Sequence, residues 1–434
     1  MDLTISFAMM LQELSFVMTS PTFTSFSQLM TGWVFARRRT LTGIMMAAGL
    51  AGKRHHSVFY HVFANARWSR DQLGLAVFGL IERILPEGTI FLSLDDTLCH
   101  KRGRKVFGAE MHHDPLISSR GTKLVAWGHN WITLCVVVRF PLWRDRPFSL
   151  PILFRLYLNE KSSAKLRRVH RSRPELCVEL LKIICNYRQN RQFHLLTDST
   201  YGGKSVSRNL PSNCDLTSRL RMDAWLFDDP PPYSGKGRRL KKGKRLAAPQ
   251  EMIKNRAQRL ELKIYGRKHK MRVVDCRARL RFLVDRPVRV VVIEPLKKSR
   301  KCEAFFSTCA NATAVEILTW YSWRWSIEVT FHDSKTHLGF EEPQSWTGKA
   351  VERTAPMAML LYSVIVLWFA QHGHVDYQPP YRPWYTHKQR ASFADMLATL
   401  RKTSVKKMYS ELSGSQARST KMLELLENLV QLAA

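Results

Sequence analysis

The sequence predicts an α/β fold with helical regions at both ends, and three observations carry that expectation. Short runs rich in Ile, Leu, Val and Phe, several closing on polar or acidic turns, recur within residues 86–213. A second series of β-like runs fills residues 214–311. Apolar residues at helical spacing occupy the stretches before and after.

Residues 1–85 read as short helices with apolar stripes at Phe16–Met18, Trp33–Phe35 and Leu75–Leu85. Arg37-Arg38-Arg39 and the segment Gly49–Arg54 interrupt them. Short helices broken by Gly and flanked by Arg suit a helix-turn-helix DNA reader, although any small basic helical domain has the same look. Pro86-Glu87-Gly88 is a turn, and Thr89–Leu94 is expected as a buried strand running into Asp95-Asp96-Thr97. Leu124–Trp127 and Trp131–Phe140 are expected as two further strands, the second central because its apolar run is continuous. Pro174–Tyr187 is helical, and His194–Asp198 is a short strand ending in a carboxylate, before the turn Ser199–Gly203.

At Cys214 the character changes. β-like runs appear at Ala224–Phe227, Lys270–Val274, Arg281–Val284 and Val288–Ile293. Among them Gly235–Gln250 is strongly basic and has no core of its own, so it is expected as a disordered, phosphate-contacting arm. From Ala314 the chain is helical again. Ala355–Ala370 is uncharged and apolar for sixteen residues, slightly short for a membrane span, and reads as a buried core helix. A Tyr/Pro/Trp-rich linker (Asp376–Trp384) leads to a helical tail studded with Lys402, Lys406, Lys407, Arg418 and Lys421. These shifts divide the chain at 1–85, 86–213, 214–311, 312–375 and 376–434.

Composition narrows the function. Hydrophobic residues make up 45% of the 434, so the chain is globular. It carries 68 Lys+Arg against 35 Asp+Glu, a net charge of +33 that repels itself unless an anion neutralises it. Nucleic acid is the first candidate and an anionic membrane surface the second. The basic residues are spread through the chain rather than gathered beside an apolar segment, which favours nucleic acid. The eight cysteines form no CxxC pair and no zinc-finger spacing, as expected of reduced thiols in a cytoplasmic protein. The adjacent pairs His55-His56 and His112-His113 are expected to point apart, as neighbours on a strand or helix do, and so not to make two-ligand sites. The N-terminus lacks the basic region of a secretory signal.

The most telling stretch is Tyr321–Lys335. Tyr321, Arg324, Glu328 and Lys335 stand at offsets of zero, three, seven and fourteen. On one continuous helix these fall at roughly 0°, −60°, −20° and −40°, a single narrow face. A surface salt-bridge lattice has the same Arg324/Glu328 spacing. The strip's mixture of one acid, two bases and a phenol suits a metal-dependent reaction on a polyanion better. Asp95 and Asp198, each at the end of an expected strand, supply two more acids. Three carboxylates can complete the oxygen shells of a Mg²⁺ pair. Taken singly, most such Asp residues are turn formers or caps.

Tyr321-x2-Arg324-x3-Glu328-x6-Lys335 resembles the Y-R-E-K signature of the DDE transposases of bacterial insertion sequences. The likeness extends through Arg324-Trp325-x-Ile327-Glu328. Asp95-x-Thr97 is similar to the D-x-[ST] of their first acidic strand, and Leu196-x-Asp198 with Tyr201-Gly202 to their second. The β-rich insertion between Asp198 and Glu328 is also a feature of that branch. The resemblance covers about Pro86 to Gly373. It implies an RNase H-like mixed-sheet core interrupted by the insertion, with Asp95, Asp198 and Glu328 binding two Mg²⁺ or Mn²⁺ ions. It further implies excision and joining of DNA, possible hairpin-ended intermediates, and a homodimer on terminal inverted repeats and target DNA in the bacterial cytoplasm. Arg324, Lys335 and Tyr321 would then contact the DNA end. Asp95 and Asp96 are adjacent and only one can face the metals; the D-x-T pattern favours Asp95. Lys101, Gly103 and Lys105 suit a DNA-contacting turn or plain solubility. Trp225, Trp320, Trp323 and Trp325 are candidate wedges for a flipped base or, more simply, core.

Overall fold

The run Trp131–Val138 is buried throughout and lies inside a large mixed sheet. In the computed structural model, the described residues are 3–412 apart from 115–116, 120, 144–145, 234, 236, 256, 265–266, 297–300, 381–382, 385–387 and 389. Five helices open the chain: α1 (Ile5–Gln12), α2 (Ser20–Phe35), α3 (Leu41–Ala47), α4 (Ser57–Ala64) and α5 (Arg70–Glu82). Next come β1 (Ile90–His100), β2 (Glu110–His113), β3 (Val125–Arg139), β4 (Pro147–Tyr157), α6 (Glu160–Lys165), α7 (Arg173–Tyr187), β5 (Phe193–Thr197), α8 (Lys204–Ser207) and β6 (Cys214–Leu220). Then follow β7 (Leu226–Phe227), α9 (Pro249–Asn255), β8 (Gln258–Ile264), β9 (Arg267–Leu280), β10 (Leu283–Pro295) and β11 (Glu303–Ser307). The chain continues with α10 (Ala314–Trp323), α11 (Ser326–Leu338), α12 (Gly348–Trp368) and α13 (Phe393–Leu412).

The core strands run in the order β4-β3-β1-β5-β6. β3 is antiparallel to both β4 and β1, whereas β1, β5 and β6 are mutually parallel. With helices on both faces this is the RNase H-like mixed α/β arrangement. Cys214–Leu220, expected with the insertion, pairs parallel with β5 and is the fifth strand of this core. The insertion then continues the same sheet through β11, β10 and β9, because β11 pairs with β6. The short runs expected there are longer in fact: β9 and β10 form a ribbon of 14 and 13 residues.

Two expected strands merge into one. Leu124–Trp127 and Trp131–Phe140 belong to the 15-residue β3, and the Gly-His-Asn between them is not a turn. A Cβ on Gly128 would lie 2.3 Å from the Cys99 carbonyl oxygen, so this glycine permits close backbone approach. Edge strand β4 bulges at Ile152, next to Pro151, which has no N–H for the ladder. Helices cover it: Ser363 Oγ of α12 donates to the Pro151 carbonyl at 2.8 Å, and α5 crosses so closely that a Cβ on Gly74 would sit 1.9 Å from Ile152 O.

The N-terminal helices share one hydrophobic core with the sheet and with α12. Trp33 Nε1 donates to Leu338 O at 2.9 Å, and the buried Arg353 guanidinium donates to the carbonyls of Ala66 and Trp68. Of the Arg triplet expected beside a DNA reader, Arg37 and Arg38 are exposed, while Arg39 is buried and donates to Arg37 O and His337 O. Helix α12 and the π-helical turn Phe369–Gly373 that continues it carry the apolar run Ala355–Ala370. Gly348–Gly373 is long and apolar enough to cross a membrane, but 89% of its apolar window is buried inside the protein. The tail helix α13 docks on α2, with Arg401 Nε donating to Val34 O at 2.7 Å. Arg418 and Lys421 lie outside the described residues.

The basic segment after β7 is not a disordered arm in the part described. Asp228 N–H donates to Lys244 O at 2.8 Å, Gly243 N–H to Asp228 O at 2.9 Å and Leu246 N–H to Leu226 O at 2.9 Å. Aromatic faces draw its cations down: Lys242 Nζ lies 3.8 Å from the Phe227 ring centre, and the Arg245 guanidinium 4.4 Å from that of Trp225.

Candidate active site

Strand β1 carries Asp95 and Asp96 on opposite faces, as its two-residue period requires. Asp95 is in the middle of an 11-residue strand rather than at its end. It faces α10 and α11, where Arg324 Nη1 donates to its Oδ2 at 2.8 Å. Asp96 faces the other way and accepts from Tyr201 Oη and from Asn130 Nδ2, each at 2.7 Å. Asp198 follows the last residue of β5. The parallel ladder ends at the pair Ser93–Leu196, and continuing that register by two brings Asp198 level with Asp95. In that turn Thr200 donates to both Asp198 oxygens, from its N–H at 2.9 Å and its hydroxyl at 3.1 Å.

The strip Tyr321–Lys335 is not one helix. α10 ends at Trp323 and α11 begins at Ser326. Across the junction the bonds tighten to three-residue spacing, from Arg324 N–H to Tyr321 O and from Ile327 N–H to Arg324 O. A continuous helical wheel therefore misplaces Tyr321 relative to Glu328. Buried hydroxyls hold the junction. Ser326 Oγ donates to Trp323 O at 2.7 Å and meets Ser149 Oγ at 2.6 Å, and Ser149 Oγ lies 2.7 Å from Ser93 Oγ on β1. Thr330 Oγ1 adds a bond to Ser149 O at 2.7 Å. Nothing in the sequence pattern distinguished these serines.

Arg324 is the centre of the assembly. Its Nη2 donates to Glu328 Oε1 at 2.9 Å while Nη1 holds Asp95, so one guanidinium bridges strand and helix. Burial alone would lower its pKa, but Tyr321, Asp95 and Glu328 together hold it above the ordinary value. Its Nε is buried without a hydrogen-bond partner. Asp95 shows the opposite strain: burial pushes its carboxyl up to about 7, Arg324 opposes this, and the charges of Asp198 and Asp96 add to it. Tyr321 packs against Phe305 with ring centres 4.6 Å apart. Burial raises its phenol, and it lies within electrostatic reach of both Arg324 and Asp198.

Lys335 is set apart from these groups. Its Nζ donates to Leu98 O at 2.5 Å and lies 3.4 Å from Glu341 Oε1, at the far end of β1. Lys101 is likewise engaged, donating to the carbonyls of Glu341 and Pro343 at 2.8 and 3.0 Å. Trp320 and Trp323 pack with Phe91 beneath the site, at 5.5 and 4.9 Å between ring centres, so they serve as core. Trp225 and Trp325 are exposed.

The donor set is all carboxylate oxygen, which suits a hard divalent cation. Among the described residues no group of three His, Cys, Asp or Glu side chains already stands in metal-holding geometry. Instead, the Arg324 cation lies across two of the three carboxylates. The structure thus places positive charge between Asp95 and Glu328, and the oxygen chemistry of Asp95, Asp198 and Glu328 fits a hard cation.

Residues 24–281, more than half of the chain, match the model of the DDE superfamily endonucleases, and the protein belongs to that family. It is an enzyme of nuclease type, in a superfamily that generally uses divalent metal ions. Residues 266–370, which include α11, match the family described as archaeal putative transposase ISC1217. Together the two matches support a DDE transposase, a class that acts on DNA. No curated protein matches the chain.

Proposed function

We propose that the protein is the transposase of an insertion sequence. It binds the element's terminal inverted repeats, cleaves DNA there and joins the ends to a target. The observation that carries this reading is the Arg324 bridge between Asp95 on β1 and Glu328 on α11, with Asp198 close enough to act on Asp95. Asp95, Asp198 and Glu328 are the catalytic acids and would hold two Mg²⁺ or Mn²⁺ ions. When bound, those ions supply Lewis-acid stabilisation at the phosphorus centre.

The chain's own groups do the rest. Arg324 presents a rigid planar fork that can pass from carboxylate to phosphate, and its unpartnered Nε is a further donor for a phosphate oxygen. Tyr321 contacts the backbone of the bound end beside it. Lys335 adds positive charge along the same strand once the DNA end competes with Glu341. Residues 1–85 bind the ends, and the insertion 214–311 extends the phosphate-contacting surface. Two copies pair on two ends in the synaptic complex, and hairpin-ended intermediates follow the Y-R-E-K branch.

The test is a strand-joining assay on a pre-cleaved end with Mg²⁺. Joining by the parent, lost in Asp198→Asn and Glu328→Gln while end binding survives, supports the reading. Cleavage without joining would point to the second reading, an RNase H-like nuclease. Normal cleavage by both variants would overturn the site assignment.

A further inference from the structure

The acid beside Asp95 has a separate task. The β1–β5 ladder makes its last backbone pair at Ser93–Leu196, so the turn carrying Asp198 runs beyond it. On the β6 side Ser218 holds this turn: its Oγ donates to Asp198 O at 2.7 Å, and a Cβ on Gly202 would fall 2.2 Å from Ser218 Oγ. On the β1 side the tie is made by Tyr201, which is fully buried and donates from Oη to Asp96 Oδ1 at 2.7 Å. Asp96 is anchored in turn. Its Oδ2 accepts from Asn130 Nδ2 of β3 at 2.7 Å, and Arg173 Nε, at the start of α7, lies 3.8 Å away.

We infer that Asp96 and Tyr201 are positioning residues, whose bond clamps the Asp198 turn to β1 directly behind Asp95 and fixes the spacing of the two carboxylates on the opposite face. This rests on the reading of Asp95 and Asp198 as the metal-holding acids. An O–H···O⁻ bond is strong and directional, and its donor Tyr201 is fully buried. Adjacent strand residues share a backbone, so a clamp on Asp96 also fixes Asp95. Asp96 works here as an acceptor of hydrogen bonds and not as a ligand.

That distinction gives the test. In Asp96→Asn the amide oxygen still accepts from Tyr201. The new NH₂ meets Asn130 once the Asn130 amide turns over, and Asn130 Oδ1 is buried with no partner of its own. Mn²⁺ binding to the full chain, measured by calorimetry without DNA, should weaken roughly 10- to 100-fold in Tyr201→Phe and Asp96→Ala, as for other supporting residues of metal sites. Asp96→Asn should stay close to the parent, and Asp95→Asn should lose binding. Loss in Asp96→Asn as complete as in Asp95→Asn would make Asp96 a ligand and overturn the inference. So would parent-like binding by Tyr201→Phe and Asp96→Ala. Should Tyr201→Phe not fold, the contrast between Asp96→Asn and Asp96→Ala still decides. Parent-like binding by Asp95→Asn is a different result, because it removes the proposed site itself.

Discussion

Arg324 Nη1 stands 2.8 Å from Asp95 Oδ2, a bond between groups 229 residues apart in sequence. The same guanidinium holds Glu328, so it neutralises two of the three carboxylates on which the proposed reaction depends. Removing it should have opposed effects on two measurements. Arg324→Ala should bind Mn²⁺ more tightly than the parent in the absence of DNA, because a competing cation is gone. Cleavage should fall on the order of a hundredfold, the usual loss for one donor to a transition-state anion. Weaker Mn²⁺ binding would show that Arg324 orders the carboxylates instead of competing for them.

The net charge of +33 predicts a steep fall in DNA affinity with salt. The segment docked on β7 should account for part of that slope. Arg238 and Lys244 are exposed there and can each meet a phosphate. Replacing both with Gln should lower the slope of log affinity against log salt by about 2, near 0.9 per contact. An unchanged slope places this segment off the DNA.

Stability should depend on pH through buried histidines. Burial holds His112, His129 and His194 down to about 4, well below the ordinary 6.5. The unfolded chain therefore binds more protons between these values, and stability should be lost as pH falls from about 6.5 towards 4. His194, whose Nε2 pairs with Thr217 Oγ1 at 2.7 Å, can be isolated. Melting curves of His194→Gln should fall less steeply over that window, whereas parallel curves would remove His194 from the account.

Arg353 tests whether residues 1–85 fold with the core. Its guanidinium is buried and satisfies carbonyls at the end of α4 and before α5. Arg353→Met leaves those carbonyls unmet and should cost at least about 2 kcal/mol. Unfolding should remain a single transition, since one apolar core joins the helices to the sheet. Separate transitions, with only the first shifted, would show that residues 1–85 fold independently.

Much of the fold could be read from periodicity. The continuous apolar run of β3 marked a central strand, and the uncharged run of α12 marked a buried helix. Errors arose where a residue's local meaning differs from its use in the fold. Gly128 looked like a break and is a point of close backbone approach. The cations of 235–250 suggested a disordered arm, yet some rest on Phe227 and Trp225, which are nearby in sequence but gain their geometry from the sheet. The Tyr321–Lys335 strip assumed an unbroken helix, and the junction is held by Ser149 and Ser93, which no local pattern associates with it.

The sequence by itself determined the chemistry available: carboxylates at Asp95, Asp198 and Glu328, a guanidinium four residues before Glu328, and a large positive charge. These follow from residue type and short-range spacing, which the backbone converts directly into geometry. Tertiary structure alone decided which groups meet. It turned Asp95 towards Arg324 and Asp96 towards Tyr201, engaged Lys335 with Leu98, and joined the insertion to the core sheet. Such choices depend on strand register and on helices packing across hundreds of residues, and no local pattern encodes them.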